Sequence, residues 1–181
     1  MTDPSASIVT IGGSPSAVSR TNTLIDHLQS QLEANGHSVT NIRVRELDAA
    51  ALLQGRTDSD SIQRAVRAVN AARGVIIATP VYKASYTGVL KVFLDVLPQN
   101  ALAGKVVLPV VGGGWANHAL VLDYALKPVL AALGASVILP GAFLLDSEFV
   151  KHPDGFSLSD ELQEKTRDLF HALGQALSVI K

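Results

Sequence analysis

The fold of this 181-residue chain is decided by one stretch, Gly74-Val-Ile-Ile-Ala-Thr-Pro-Val-Tyr-Lys-Ala-Ser-Tyr-Thr-Gly88. Residues 74–79 carry almost no polar side chain, which is typical of a strand buried on both faces of a sheet. Pro80 is expected to end that strand, and Gly88 allows a helix to begin close to the sheet. The stretch therefore predicts a strand, a polar and aromatic loop, and a helix.

Short apolar runs and longer helical patterns alternate in the same way on both sides of this stretch. Strands are predicted at residues 7–13, 38–44, 74–79, 105–111 and 136–139. Helices are predicted at residues 23–34, 61–72, 88–97, 117–133 and 159–180. Buried strands separated by helices indicate an α/β fold whose parallel sheet is covered on both sides.

Five strands favour the flavodoxin-like, doubly wound order 2-1-3-4-5. In such a sheet a ligand binds at the topological switch point between the first and third strands, just beyond their carboxyl ends. No internal repeat, low-complexity tract or linker divides the sequence, so residues 1–181 are expected to form a single domain.

The composition narrows the possible functions. The chain has no cysteine, which excludes disulfides, thiolate nucleophiles and cysteine-ligated zinc and fits a reducing cytoplasm. Its net charge of -1 does not suggest a nucleic-acid binder. Residues 1–7 lack the basic and apolar parts of a signal peptide. The most apolar region, residues 119–145, is broken by Asp123, Lys127 and Pro128, so no membrane span is expected.

The loop after the first predicted strand reads Gly12-Gly-Ser-Pro-Ser-Ala-Val-Ser-Arg-Thr-Asn-Thr23 and offers five hydroxyls and one arginine. Hydroxyls, one cation and backbone N–H groups at a helix N-terminus are what a phosphate dianion needs. The loop is neither a Walker motif nor a GxGxxG motif, so a dinucleotide pyrophosphate is not expected there. A loop that only caps the helix is the alternative.

Two further loops follow predicted strands at the same edge. Residues 79–88 place Tyr82 and Tyr86 beside Lys83 and Ser85, which suits a flat heteroaromatic ring. Gly112-Gly-Gly-Trp-Ala-Asn-His118 follows the fourth strand, and its three glycines permit a close backbone approach to a ligand. The alternatives are tyrosines that pack at the rim and a flexible turn whose tryptophan meets another subunit. Convergence of the three loops favours a binding site.

Other functions with this architecture are disfavoured by particular residues. A response-regulator receiver needs acidic residues at the ends of strands one and three, where this chain has Ser14 and Thr79. Ser14 lacks the GxSxG pattern of an α/β-hydrolase nucleophile. The histidines have no metal-ligand spacing, so no metal site is expected, and only His118 falls near the proposed ligand site.

The predicted helix 117–133 is apolar nearly all round, and such a helix is normally buried on more than one side. Hydrophobic residues make up 48% of the chain and charged residues 17%. We therefore expect a homodimer or homotetramer that buries this helix. Pro128 cannot donate to the carbonyl of Tyr124, so a kink or π-bulge is also expected there.

Several motifs resemble the NAD(P)H-dependent FMN reductases, a family of flavodoxin-like proteins. They are Gly13-Ser-Pro15, Ser19-Arg-Thr-Asn-Thr-Leu24, Ala78-Thr-Pro-Val-Tyr-Lys-Ala-Ser-Tyr-Thr-Gly-Val-Leu-Lys91 and Leu94-Asp-Val-Leu-Pro98. Two more, Gly104-Lys-Val-Val-Leu-Pro109 and Asp123-Tyr-Ala-Leu-Lys-Pro-Val-Leu130, look like the reductase partners of two-component alkanesulfonate monooxygenases. The resemblance extends from Ile8 to about Leu145.

The resemblance implies a set of FMN-binding residues. The phosphate would be held by Ser14, Ser19, Arg20, Thr21, Asn22 and Thr23. The flavin ring would meet Pro80, Val81, Tyr82 and Lys83, near Ser85, with Gly112, Gly113 and Gly114 beside it. Many relatives carry arginine where this chain has Ser16. Arg20 is therefore expected to bind the phosphate instead, and the choice between NADH and NADPH stays open.

The implied function is transfer of a hydride from NAD(P)H to FMN, followed by supply of reduced FMN to a partner monooxygenase. Flavin and nicotinamide supply the reactivity, so no side-chain acid or base is expected as a catalytic residue. Two alternatives remain open: a flavodoxin-type electron carrier, and a quinone or azo-dye reductase with tightly bound FMN. Electron carriers of this type are usually strongly acidic, whereas this chain is nearly neutral.

Overall fold

A computed structural model describes residues 6–179 of the chain. Three predictions fall partly outside these residues. They are the segment considered for a signal peptide, the expected helix end at Ile180, and the two ends of the expected domain 1–181. The strands are β1 (Ser7–Gly12), β2 (Ser38–Arg43), β3 (Gly74–Tyr82), β4 (Ser85–Tyr86), β5 (Val106–Gly113), β6 (Val137–Ile138), β7 (Ala142–Leu145), β8 (Phe149–His152) and β9 (Gly155–Leu158).

The α-helices are α1 (Arg20–Ala34), α2 (Ala49–Leu53), α3 (Asp60–Ala71), α4 (Gly88–Asp95), α5 (Lys127–Ala132) and α6 (Asp160–Val179). Short 3₁₀ segments lie at Val44–Glu46, Ala116–Ala119 and Asp146–Glu148, and a π-helical segment at Leu122–Leu126. No helix within residues 6–179 is both long and apolar enough to cross a membrane.

The main sheet follows the order β2-β1-β3-β5-β6, and these strands are parallel. This confirms the predicted flavodoxin-like order 2-1-3-4-5, since β5 and β6 are the fourth and fifth predicted strands. Alternate residues of each strand pack against helices on opposite faces, so Val9 joins a core with α3, α4 and α5. Its neighbour Ile8 joins a second core with α1 and α6. The sheet is therefore doubly wound, as expected.

The prediction that Pro80 ends the third strand is wrong. β3 continues to Tyr82, with Pro80 paired to Gly112 of β5, because the fixed φ of proline fits an extended strand and only one N–H is lost. The chain then turns tightly through Lys83 (φ 52°) and Ala84 (φ 59°) into β4. The expected loop is thus a small β-hairpin.

The fifth predicted strand, residues 136–139, is found as β6, and a separate strand, β7, follows it beyond the predicted bounds. β6 pairs with the start of β5 and β7 with its end, and Pro140-Gly141 separates the two. Gly141 has φ +77°, and a Cβ atom there would lie 2.3 Å from the carbonyl oxygen of Pro109. The close approach of two backbones explains the break, and β7 carries the sheet on toward the ligand edge.

The helix expected at residues 117–133 occupies the predicted place but changes type along its length. It begins as 3₁₀, becomes π-helical at Leu122–Leu126 and ends as α5. The N–H of Lys127 bonds the carbonyl of Leu122, five residues back, just before Pro128. The π-bulge predicted at this proline is confirmed.

Candidate functional site

A cleft opens at the carboxyl ends of β1, β3 and β5, where the sequence predicts the ligand. Its walls come from the β1–α1 loop, the end of β3, the glycine-rich end of β5 and the segment that follows β7. The lining residues are Ser14, Ser16, Val18, Ser19, Arg20, Thr21, Leu24, Ala78, Thr79, Pro80, Val81, Tyr82, Val110, Gly112, Gly113, Gly114, His118, Leu144, Asp146, Phe149 and Phe156.

The β1–α1 loop is shaped by hydrogen bonds from α1 back to the loop. Ser19 is the N-cap, and its Oγ accepts the N–H of Asn22 at 3.1 Å. The Asn22 amide donates to the carbonyls of Ser16 and Ala17, at 3.1 and 2.9 Å, and Thr23 Oγ1 donates to the Ser19 carbonyl. The N–H groups of Arg20 and Thr21 lie in the first turn, where no carbonyl of the helix can accept them. An anion would find these donors at the cleft.

Two buried threonines join the first loop to the β3–α4 segment. Thr87 caps α4 by accepting the N–H of Leu90, and its Oγ1 donates to the carbonyl of Gly13 at 2.5 Å. Thr79 Oγ1 accepts the N–H of Thr87 at 3.2 Å. These hydrogen bonds therefore fix the β1–α1 loop and the β3–α4 segment relative to each other.

The opposite wall combines extended backbone with glycine. Pro80 and Val81 lie partly buried in β3, Tyr82 is 51% exposed, and Gly112 to Gly114 lie beside them at the end of β5. A Cβ atom at Gly112 would have only the Leu144 carbonyl oxygen within 4 Å in the described chain, at 3.8 Å. This surface is open enough for a planar ring to approach the backbone.

The third wall comes from the segment after β7. Phe149 and Phe156 of the β8–β9 hairpin line the cleft, and the Arg20 guanidinium lies 4.5 Å from the centre of the Phe156 ring. Arg20 Nε is 3.6 Å from Asp146 Oδ1. Within residues 6–179, Arg20 Nε is buried without a hydrogen-bond partner. Its N–H is therefore a donor that a ligand could use.

The structure brings ten of the fourteen predicted site residues to the cleft: Ser14, Ser19, Arg20, Thr21, Pro80, Val81, Tyr82, Gly112, Gly113 and Gly114. Asn22 and Thr23 lie just behind it, where their side chains bond loop carbonyls. Lys83 and Ser85 belong to the β3–β4 hairpin and are not among the lining residues. Burial raises the pKa of Tyr86 above its ordinary value, so its phenol is neutral at physiological pH.

Sequence reasoning missed Asp146, Phe149 and Phe156. They follow the last expected strand in a stretch that was given no structure, yet Pro153-Asp-Gly155 between two partly alternating runs is a hairpin signal. His118, considered only as near the site, lines the cleft, and its Nδ1 is buried without a hydrogen-bond partner in the described chain.

Comparison with known proteins identifies the family of the chain. Residues 6–149 match the family described as NADPH-dependent FMN reductase. The chain belongs to the NADPH-dependent FMN reductase family. This reductase uses FMN with NAD(P)H as the electron donor, and the predicted enzyme class and cofactors are confirmed.

Relatives of this reductase cover nearly its whole length. It is 43% identical over 174 residues to an FMN reductase (NADPH) of Pseudomonas putida, across 94% of this chain and 88% of the relative. It is 39% identical over 170 residues to an FMN reductase (NADPH) of Escherichia coli, across 94% and 89%. A crystal structure of an NADH:FMN oxidoreductase, EMOB, in its apo form has a TM-score of 0.85 at 38% identity, across 96% of this chain and 90% of that one.

The cleft of this reductase fits FMN by its chemistry. At one end it offers hydroxyls, first-turn N–H groups and Arg20 Nε, which has no hydrogen-bond partner within residues 6–179, and this donor set suits a phosphate. At the other end it offers apolar side chains and glycine backbone, which suit an isoalloxazine ring.

Proposed function

We propose that this reductase supplies reduced FMN to a partner monooxygenase of the sulfonate or sulfur-assimilation type. The observation that carries the proposal is the cleft at the start of α1, whose lining in the described chain includes one arginine, Arg20, with a side chain 36% exposed. An anchor of this kind holds the phosphate alike whatever the redox state of the ring, so it does not trap the reduced form. The motifs shared with reductases of two-component alkanesulfonate systems support the same partner.

In this proposal the FMN phosphate binds the β1–α1 loop. The hydroxyls of Ser14, Ser19 and Thr21 donate hydrogen bonds to it. Arg20 adds its positive charge and the N–H of Nε. Asn22 and Thr23 serve the same site by holding the loop carbonyls. This arrangement leaves the first-turn N–H groups directed at the anion, where the helix dipole also favours negative charge.

The flavin ring lies in this proposal across the ends of β3 and β5, against Pro80–Tyr82 and Gly112–Gly114, with Lys83 and Ser85 at its outer rim. When bound, FMN supplies the redox chemistry by accepting a hydride from NAD(P)H at N5. The residues of the chain orient the two rings and exclude water, and orientation of this kind contributes roughly 7–11 kcal/mol toward lowering a barrier. Tyr86 stays neutral, so the phenol is not a base.

The phosphate assignment is tested with Arg20→Ala and two ligands, FMN and riboflavin, which differ by the phosphate. Loss of a charge-assisted hydrogen bond should raise the Kd of FMN about 10- to 100-fold and leave that of riboflavin nearly unchanged. Flavin fluorescence titration measures both. Equal changes for the two flavins, or none, would reject the phosphate role of Arg20.

Exchange of FMN is tested by NAD(P)H oxidation after gel filtration. A reductase that releases its flavin should show almost no oxidation until free FMN is added, and then a saturable dependence on FMN. A full rate without added FMN, with ping-pong reduction of quinone, would instead support the reductase with fixed flavin. Retained flavin that passes electrons only to redox proteins would support the electron carrier.

We also propose that the chain is one FMN-binding domain, located in the cytoplasm, that assembles as a homodimer or homotetramer. Both hydrophobic cores share one sheet, which supports a single domain. Trp115, Leu120 and Tyr124 are 75%, 60% and 80% exposed, and they follow one another along the helical segment expected at a subunit contact. Burial of this surface in an assembly would remove it from water.

A further inference from the structure

Asp146 places a carboxylate at the edge of a cleft that takes an anionic ligand. Its Oδ1 lies 3.6 Å from Arg20 Nε, and its Oδ2 would lie 3.6 Å from a Cβ atom at Gly114. The side chain is 46% exposed, so the ion pair adds little to the stability of the fold. A carboxylate at this position therefore needs an explanation other than stability.

The position of Asp146 is fixed by its surroundings. It begins the 3₁₀ turn Asp146–Glu148, and the Oε2 atom of Glu148 accepts the N–H of Leu145 at 2.6 Å. Glu148 Oε1 also pairs with Lys165 of α6, and Leu145 pairs with Gly113 in the sheet. The Asp146 carboxylate is thus held beside Arg20 by the sheet and by α6.

Arg20 is shared between Asp146 and any anion at the start of α1. The separation of 3.6 Å is too long for a hydrogen bond, so Asp146 offsets the charge of Arg20 without using its Nε donor. Phe156 packs under the guanidinium and limits its movement. A phosphate that binds there meets a cation already partly neutralised and a nearby like charge, and both weaken its binding.

We propose that Asp146 is an affinity-setting residue: it weakens the hold of the β1–α1 loop on the FMN phosphate and so speeds the release of reduced FMN. The inference rests on the proposed function, in which FMN is exchanged. It predicts that Asp146 acts on the phosphate and not on the ring. Its effect should therefore be large for FMN and absent for riboflavin.

The test is Asp146→Asn, which keeps the shape of the side chain and removes its charge. We expect the Kd of FMN to fall about tenfold and that of riboflavin to stay within about twofold of the unaltered protein. In anaerobic stopped-flow measurements the dissociation rate of reduced FMN should fall by a similar factor. Asp146→Glu keeps the charge and should bind FMN as the unaltered protein does.

Asp26→Asn is the matched control, because it makes the same change in net charge at another ion pair on α1. Asp26 pairs with Arg43 at 2.6 Å and does not line the cleft. It should leave both affinities unchanged. Equal effects of Asp26→Asn and Asp146→Asn would mean that only net charge matters, which would overturn the inference.

The outcomes also separate this inference from the proposed function. If Arg20→Ala weakens FMN selectively but Asp146→Asn does not tighten it, the role of Asp146 is rejected and the phosphate site stands. If Arg20→Ala has no selective effect, the phosphate site itself is rejected. If Asp146→Asn changes FMN and riboflavin alike, Asp146 acts on the ring or the fold, and the inference is again overturned.

Discussion

Single residues connect the two ligand loops, and Thr87 shows this most clearly. Its hydroxyl is buried, donates to the Gly13 carbonyl and accepts the N–H of Leu90. Thr87→Val would leave both groups without this partner, so the free energy of unfolding should fall by about 1–3 kcal/mol and the KM for FMN should rise. Thr87→Ser should keep most of the stability and most of the affinity for FMN. Urea unfolding and FMN titration check this, and equal behaviour of the two variants would contradict it.

His27 gives a prediction about pH. Burial lowers the pKa of its imidazole below the ordinary 6.5, and its Nε2 lies 2.8 Å from the Gln31 amide nitrogen and 3.3 Å from Thr166 Oγ1 of α6. The unfolded chain therefore binds a proton at a higher pH than the folded chain does. Stability is full above about pH 6.5 and falls as the pH drops toward the lowered pKa.

His27→Gln should remove this part of the acid sensitivity. Urea unfolding at pH 7.5 and pH 5.5 should show a smaller loss of stability for the variant than for the unaltered protein. His171→Gln is the matched control, because it removes an exposed histidine of α6. An unchanged loss in His27→Gln would show that other groups cause the acid sensitivity.

The sequence predicts the site residues that lie next to strand ends, and it misses those that reach the cleft from a distance. In the loops after β1 and β5, serine and arginine indicate a phosphate site and glycine indicates a close backbone approach, so their role is visible from the local sequence. Asp146 and Phe156 become part of the site only because β7 pairs with the end of β5 and the following hairpin folds back over α1. Arg20 lies more than a hundred positions from both Asp146 and Phe156 in the chain, and local patterns carry no signal for contacts of that range.

Among the elements, the junction of β6 and β7 depends on Gly141. A Cβ atom there would lie 2.3 Å from the Pro109 carbonyl oxygen, and φ is +77°. Gly104 is the matched control, since its φ is +69° and nothing in the described chain lies within 4 Å of its Cβ position. Gly104→Ala should cost about 1–2 kcal/mol through backbone strain alone.

Gly141→Ala should cost at least about 2 kcal/mol more than Gly104→Ala, because it adds a clash with backbone to the strain. Thermal and urea unfolding measure both variants. Equal losses of stability would show that β6 and β7 can shift to make room, and would contradict this explanation of the break between the two strands.

Element type was predictable wherever the hydrophobic period was long, and less so where the chain changes direction. The parallel strands and long helices lie close to their predicted positions, because apolar runs and caps mark them. The short α2 was missed within a polar stretch, although Asp48 caps it by accepting the N–H of Ala51. A helix of five residues has too little periodicity to stand out from a loop.

For the whole molecule, the exposed apolar surface at residues 115–124 predicts self-association. Leu120→Asp places a charge on that surface and should shift the assembly toward smaller species in sedimentation velocity. Leu53→Asp is the matched control, because Leu53 is 77% exposed on α2, outside that segment. A monomer in the unaltered protein, or equal effects of the two variants, would contradict the assembly.

The function and the role of each loop depend on where FMN binds, and a crystal structure of the FMN complex measures this directly. We predict a phosphate within about 3.2 Å of the hydroxyl and N–H donors of residues 14–21. We also predict an isoalloxazine ring that contacts both Pro80–Tyr82 and Gly112–Gly114. A phosphate bound elsewhere, such as the groove lined by Arg43 and Arg64, or a ring that does not meet these two segments, would contradict these predictions.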